Sequence, residues 1–420
     1  MQPVTTTVLI AVVILSEIPS FSALINSSSP PAIPGKPVSP LEEEIIGNTY
    51  EVRQFNFVNL PVFGDVYPNG FYYVSIEIGN PQKQYNLDID TGSDVTWLPK
   101  GRYPLYESQS IRHVRCDEPR CIDVHESTSH RGKCKNTEPC DYEISYEDET
   151  ASKGLLVIDT FALHLKGGSS IRPTLAIGRS AYYSSKEPNS QSRTHGMLGL
   201  GKGKISILSQ LHEQGLFANI FGHCLSSNSE VSGFMFIGKD FDYSRCLTWV
   251  PMSHDVLHYS LTMAEVVYGD EQLLGWNQDF VLDSGATDTY FVDPLYQQLL
   301  TKVAEMALLQ KVPGDDEHPD CWEDTRPFTS IPDLRNRFSS LYLKLGNGRA
   351  LEIPPENYLI ITEDGDACLA IFNGFAQGLN NINLIGAISM QNVMVVYDNE
   401  QRQIGWAPVT ECTQPLNCEP

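Results

Sequence analysis

The sequence predicts an all-β protein built from two related halves, and three observations carry that expectation. Gly and Pro are plentiful, 31 and 27 in 420 residues, while long periodic charged-apolar stretches are scarce, so many short strands joined by turns fit better than a helix bundle. Segments such as Tyr72–Ile78 and Asn86–Asp90 alternate apolar and polar residues with the period of half-buried strands. Two motifs then recur in the same order at nearly one offset. Leu87-Asp88-Ile89-Asp90-Thr91-Gly92-Ser93 returns loosely as Phe280-Val281-Leu282-Asp283-Ser284-Gly285-Ala286, and Gly196-Met197-Leu198-Gly199-Leu200-Gly201 returns as Asn383-Leu384-Ile385-Gly386-Ala387. A duplicated domain leaves that trace.

Taken in order, the chain opens with an apolar run, Val8–Leu15, too short to span a bilayer and followed by small residues at Ser20, Ser22 and Ala23. No Lys or Arg precedes it, but residues 1–23 otherwise read as an export signal. Residues 24–60 begin Pro- and Ser-rich, as an extended linker or prosegment would, and hold the one N-x-Ser/Thr acceptor, Asn26. Gly79-Asn80-Pro81 marks the turn between the first two clear strands. Two helices are expected. One covers Ser206–Gln214 and stops at Gly215; the other starts at Asp293-Pro294, with Leu295, Leu299, Val303 and Met306 on one face. Everything else reads as short strands. No second apolar stretch is long enough for a membrane helix.

A net charge of -23 argues against nucleic acid or an anionic membrane as the main partner, since both reward clustered Lys and Arg. Ten cysteines in an exported chain read as disulfides, an even set.

The chemistry lies in the two Asp loops. In each, an apolar strand fixes a carboxylate and a following Gly permits a tight turn with close backbone approach. Brought together by two-fold symmetry, Asp90 and Asp283 cannot both ionise and would share a proton. One then accepts a proton from water while the other donates to a carbonyl oxygen, which is peptide hydrolysis without metal, cofactor or covalent intermediate. Two other patterns fail on inspection. Gly196-x4-Gly201-Lys202 imitates a phosphate loop, but Gly203 stands where Ser or Thr should bind magnesium. His113, Cys116, Cys121 and His125 could be laid out as a zinc site, but their spacing matches no standard ligand set.

Asp90-Thr91-Gly92-Ser93 with Trp97, and Asp283-Ser284-Gly285, resemble the active-site loops of pepsin-type aspartic proteases. The resemblance runs from about Phe63 to Cys412, through Tyr146, Gly154, Gly196–Gly201, Trp249-Val250-Pro251, Asn383–Gly386 and Val395–Ala407. Asp88–Asp94, Cys140-Asp141-Tyr142-Glu143 and Ile388-Ser389-Met390-Gln391 look most like the plant nucellin-like branch. It implies a bilobal fold with the N-terminal lobe at 61–249, the C-terminal lobe at 250–420 and the active site in the cleft between them. It also implies Asp90 and Asp283 as the catalytic pair, Thr91 and Ser284 bonding across to the opposite loop, Ser93 supporting Asp90, and Tyr146 on a flap with its hydroxyl near Trp97. For the cysteines it suggests Cys116–Cys121, Cys134–Cys140 and Cys321–Cys368, leaving Cys224 and Cys246 to meet Cys412 and Cys418.

Three departures stand out. Leu98-Pro99-Lys100-Gly101 lacks the cysteines usual in the plant branch, Ala387 replaces an Asp beside Gly386, and Ala286 replaces a Ser or Thr that would support Asp283. The expectation is a monomeric endopeptidase of the secretory pathway, secreted or vacuolar, acting on extended polypeptides at acidic pH. The rival is a pepsin-fold protein that has lost catalysis and binds a protein or polysaccharide.

Overall fold

The computed structural model describes residues 57–413, apart from 101–105, 129–131, 133, 147–149, 185–193, 240–245, 255–256, 264, 274–277, 316–317 and 380–381. The expected leader, most of the Pro/Ser-rich stretch, Asn26 and Cys418 lie outside the described residues. No helix among the described residues is long and apolar enough to cross a membrane.

Strands dominate. β1 (Phe57–Asp65), β2 (Phe71–Ile78) and β3 (Lys83–Asp90) pair antiparallel in succession. The alternation expected of β2 is realised: Tyr72, Val74, Ile76 and Ile78 are buried, while the residues between them are half-buried. β4 (Trp97–Pro99) follows the first Asp loop. Among the described residues these strands belong to a fifteen-stranded sheet, and the second half adds one sheet of five strands and two of four.

The sequence echo has a structural counterpart in strand order and direction. In the first half, Gly196–Gly199 lies parallel to β3 and antiparallel to β4, and β4 lies parallel to Thr174–Ser184. In the second, Asn383–Ile385 lies parallel to Gln278–Leu282 and antiparallel to Thr289–Phe291, which lies parallel to Ile371–Asn373. The chain closes on itself through the pair Val393–Asp398 and Gln403–Pro408. These strands join Ile220–Cys224 and Thr248–Pro251 in the large sheet, and Cys224–Cys412 ties that junction.

Helices depart from expectation in detail. α1 (Pro119–Ser127) and α4 (Ile331–Arg335) read as non-helical in sequence because each is too short to show a 3.6 period, with only two buried residues in α1 and one in α4. α2 (Ile207–Glu213) has Ser206 as its cap, accepting from the Ser209 amide. α3 (Leu295–Ala307) begins after Pro294. Asp293 does not cap it, and the Asp293 carboxylate accepts from Asn373 Nδ2 at 3.1 Å. Its buried face is Leu295, Tyr296, Leu299, Val303 and Ala307, whereas Met306 is 37% exposed.

Two of the implied disulfides are corrected. The structure pairs Cys116 with Cys134 and Cys121 with Cys140, not Cys116 with Cys121 or Cys134 with Cys140. The segments around 114–116 and 138–140 run alongside each other, with Cys116 N donating to Glu138 O and Cys140 N to Val114 O. α1 then turns Cys121 into the core, so both bonds cross between segments. Cys321–Cys368 joins adjacent strands at facing positions. Cys246 is disulfide-bonded, and no cysteine among the described residues is free.

Candidate active site

β3 ends at Asp90 and the strand Gln278–Leu282 ends just before Asp283, so each carboxylate is delivered at the tip of a strand held by core residues. Leu87, Ile89, Phe280 and Leu282 are all buried in one core. Main-chain bonds fix both tips: Leu200 N donates to Asp90 O at 2.8 Å, and Asp283 N donates to Ile385 O at 3.0 Å.

The two loops grip each other reciprocally. Thr91 Oγ1 donates to Leu282 O at 2.9 Å and accepts from Ser284 N at 2.9 Å. Ser284 Oγ donates to Ile89 O at 2.9 Å and accepts from Thr91 N at 3.2 Å. Four hydrogen bonds, all buried, thus pin the loops together from opposite ends of the chain, where no water competes for them. Glycine is required at the meeting point. A Cβ on Gly285 would stand 2.7 Å from Asp90 Oδ1 and 3.2 Å from Asp283 Oδ1, so both carboxylates close on that residue.

The pair is symmetric in backbone and asymmetric in support. Asp90 Oδ1 accepts from Gly92 N at 2.8 Å and Ser93 N at 3.1 Å, and its Oδ2 accepts from the Ser93 hydroxyl. Asp283 Oδ1 accepts from Gly285 N at 2.9 Å, while its Oδ2 is buried without a hydrogen-bond partner among the described residues. Ala286 occupies the position corresponding to Ser93 and is fully buried against Tyr290, Leu379 and Leu384. Burial pushes Asp90 up to about 6, restrained by the Ser93 hydroxyl and the Gly92 and Ser93 amides. Burial, and then the charge of Asp90, push Asp283 well above the ordinary carboxylate range. Asp90, with the Ser93 hydroxyl added to main-chain donors, is the better supported as an anion, an asymmetry that a shared-proton acid and base need.

Tyr146 and Trp97 meet over the first half: Trp97 Nε1 donates to Tyr146 Oη at 2.6 Å, and both side chains are buried. Tyr146 stands at the end of the hairpin formed by Asp141–Ser145 and Ala151–His164. Ala387 is buried and spans the second motif through its backbone, its amide donating to Ala286 O at 2.8 Å.

Sequence reasoning passed over two acidic residues here. Asp94 is half-buried and accepts from Gly203 N at 2.7 Å and from the Ser127 hydroxyl, and a Cβ on Gly201 or Gly203 would strike its carboxylate. The glycine run that imitates a phosphate loop thus wraps the half-buried Asp94 carboxylate. Asp88, on β3 two residues before Asp90, is buried. Its signal was an acidic residue at a position the strand alternation places on the face of Asp90. As for zinc, the sulfurs of Cys121, Cys134 and Cys140 gather around His125 but are joined in disulfides, and His125 Nε2 lies 2.8 Å from Asp141 O.

A mainly β chain with two Asp-Thr/Ser-Gly loops locked face to face defines the pepsin-type class of protein. Models described as xylanase inhibitor N-terminal and xylanase inhibitor C-terminal match residues 72–239 and 271–408. The chain is 35% identical to an aspartic proteinase of Oryza sativa subsp. indica over 374 residues, 83% of this chain and 90% of that one. It is 27% identical to aspartic proteinase 39 of Arabidopsis thaliana over 388 residues, 84% of this chain and 78% of that one. The chain belongs to the pepsin-type plant aspartic proteinase family. Among solved structures, basic 7S globulin from soybean shares the fold with a TM-score of 0.69 at 19% identity, covering 87% of this chain and 100% of that one.

Proposed function

We propose that this protein is an aspartic endopeptidase that hydrolyses peptide bonds of extended polypeptides with a water activated between Asp90 and Asp283. The observation that carries the reading is the reciprocal Thr91–Ser284 lock, which brings two buried carboxylates with separated proton affinities to one point. In this mechanism Asp90, ionised and held by Ser93 and the Gly92 amide, takes a proton from water. Asp283 gives its proton to the scissile carbonyl oxygen, and the water oxygen bonds to carbon, forming a gem-diol. Asp90 then returns its proton to the leaving nitrogen while Asp283 takes one back from a gem-diol hydroxyl, which breaks the C–N bond, releases a carboxylic acid and an amine, and restores the pair. Tyr146, braced by Trp97, lies over the bound peptide and excludes water.

The same reading divides residues 61–249 and 250–420 into two lobes with the cleft between them, and it takes 1–23 as an export signal and 24–60 as a prosegment. It places the protein in the secretory pathway as a monomer of the nucellin-like branch. A second reading, a binding protein without catalysis, is favoured by one feature: Ala286 leaves Asp283 Oδ2 without a donor among the described residues. The two separate in one assay. Asp90→Asn and Asp283→Asn should each lower kcat/KM on a denatured-protein substrate at acid pH by at least ~10³-fold. Each variant should remain folded by circular dichroism. Near wild-type turnover by either folded variant refutes the assignment, and a folded wild type without pepstatin-sensitive cleavage supports the binding protein.

A further inference from the structure

The proposed mechanism leaves one buried acid beside the catalytic pair unused. Asp88 precedes Asp90 by two residues on β3, so both side chains stand on one face of the strand, about 7 Å apart along it. It is 8% exposed, and its Oδ1 is buried with no hydrogen-bond partner among the described residues; the Thr194 hydroxyl bonds the carboxyl. A carboxyl oxygen left bare in a protein interior costs free energy that folding alone does not repay.

Its neighbours suggest what should occupy that oxygen. Asp88 faces Tyr73 directly across β2, and Tyr73 faces Phe63 across β1. The rings of Phe63 and Tyr73 lie 5.7 Å apart, and those of Phe71 and Tyr73 lie 6.1 Å apart. Phe63 is 41% exposed. A row of aromatic rings therefore runs from solvent to Tyr73, the residue that pairs with Asp88 across the sheet. Rings of this kind cover an aliphatic stem and attract a cation through their faces, and the free acceptor suits the single-point ammonium of a lysine.

Resting on the protease reading above, we propose that Asp88 is a specificity residue that receives a cationic side chain, lysine above all, from the substrate residue lying over β3 next to the bond cleaved. Burial and the charge of Asp90 keep the free carboxyl protonated above the ordinary range, so it takes up its negative charge when a cation arrives.

The test uses the full mature protein and two otherwise identical peptides with Lys or Leu at the position before the scissile bond. The wild type should prefer the Lys peptide by about 10- to 100-fold in kcat/KM. Asp88→Asn, which keeps the shape and an acceptor for Thr194, should bring that ratio to within about threefold and admit a Glu peptide that the wild type rejects. A purely structural role would lower all peptides alike and leave the ratio unchanged, which overturns the proposal, as does a wild type with no Lys preference. Hydroxyethylene analogues of the Lys and Leu peptides, titrated calorimetrically against both proteins, separate this result from failure of catalysis. A Lys preference in binding that Asp88→Asn abolishes sustains the role of Asp88 even if nothing is cleaved, whereas absent turnover refutes only the endopeptidase reading.

Discussion

Placing a hydroxyl beside Asp283 should make the proposed proteolytic activity more acid-demanding. Ala286 stands three residues after Asp283, as Ser93 stands three after Asp90, and only Ser93 donates to its carboxylate. In Ala286→Ser the new hydroxyl lies next to Asp283 Oδ2, an acceptor that has no partner among the described residues. Donation stabilises the ionised form and lowers the pKa that burial and the Asp90 charge have raised. A hydrogen bond to a charged group contributes roughly 1.5–3 kcal/mol, and one pKa unit corresponds to about 1.4 kcal/mol. The Gly285 and Ala286 amides already stabilise the same carboxylate, which reduces the gain, so the expected shift is about half to one unit. The two groups titrate as a pair, and the shift falls on the higher of their two apparent values. The assay is the pH profile of kcat/KM for wild type, Ala286→Ser and Ala286→Cys, the last adding similar volume with a weak donor. The alkaline limb of Ala286→Ser should move to lower pH and that of Ala286→Cys should move less. An unchanged or alkaline-shifted limb in Ala286→Ser refutes the reasoning.

Asp90 adds a contribution to stability that falls as pH rises, because it binds its proton more tightly folded than unfolded; the buried His223 contributes in the opposite direction. The Asp90 stabilisation is fully present below the ordinary value near 4 and is lost as pH climbs through about 6, a change of about 3 kcal/mol from Asp90 alone. Thermal melts from pH 4 to 7 should show it as a difference: relative to wild type, Asp90→Asn should lose less stability with rising pH, and identical pH profiles for the two proteins would refute it. Thr91→Val removes both a donor to Leu282 O and an acceptor for Ser284 N. It should destabilise the fold by about 2–5 kcal/mol in denaturant titrations, whereas Thr91→Ser should recover most of the loss. Peptide mapping of the unreduced protein should recover Cys116 linked to Cys134 and Cys121 linked to Cys140, and local Cys116–Cys121 loops would contradict the structure.

What the sequence determined by itself was whatever depends on neighbours along the chain. The alternation through Tyr72–Ile78 specifies a strand because successive side chains must face opposite sides, and it does so wherever the strand is placed. Asp90-Thr91-Gly92 and Asp283-Ser284-Gly285 were legible as paired loops because a tight turn beside a carboxylate leaves few residue choices. α1 and α4 were not legible, since so few of their residues are buried that no period develops. Tertiary structure alone decided the rest. Cys121 pairs with Cys140 because α1 turns it inward, a matter of packing that spacing does not encode. The four bonds between Thr91 and Ser284 exist only once chain-distant strands meet. How a proton is shared between two similar Asp residues, and that Asp88 holds an unfilled acceptor beside them, follow from burial and from charges folded into the same interior. A proton's affinity is set by the surroundings in space, and the sequence lists only the surroundings in order.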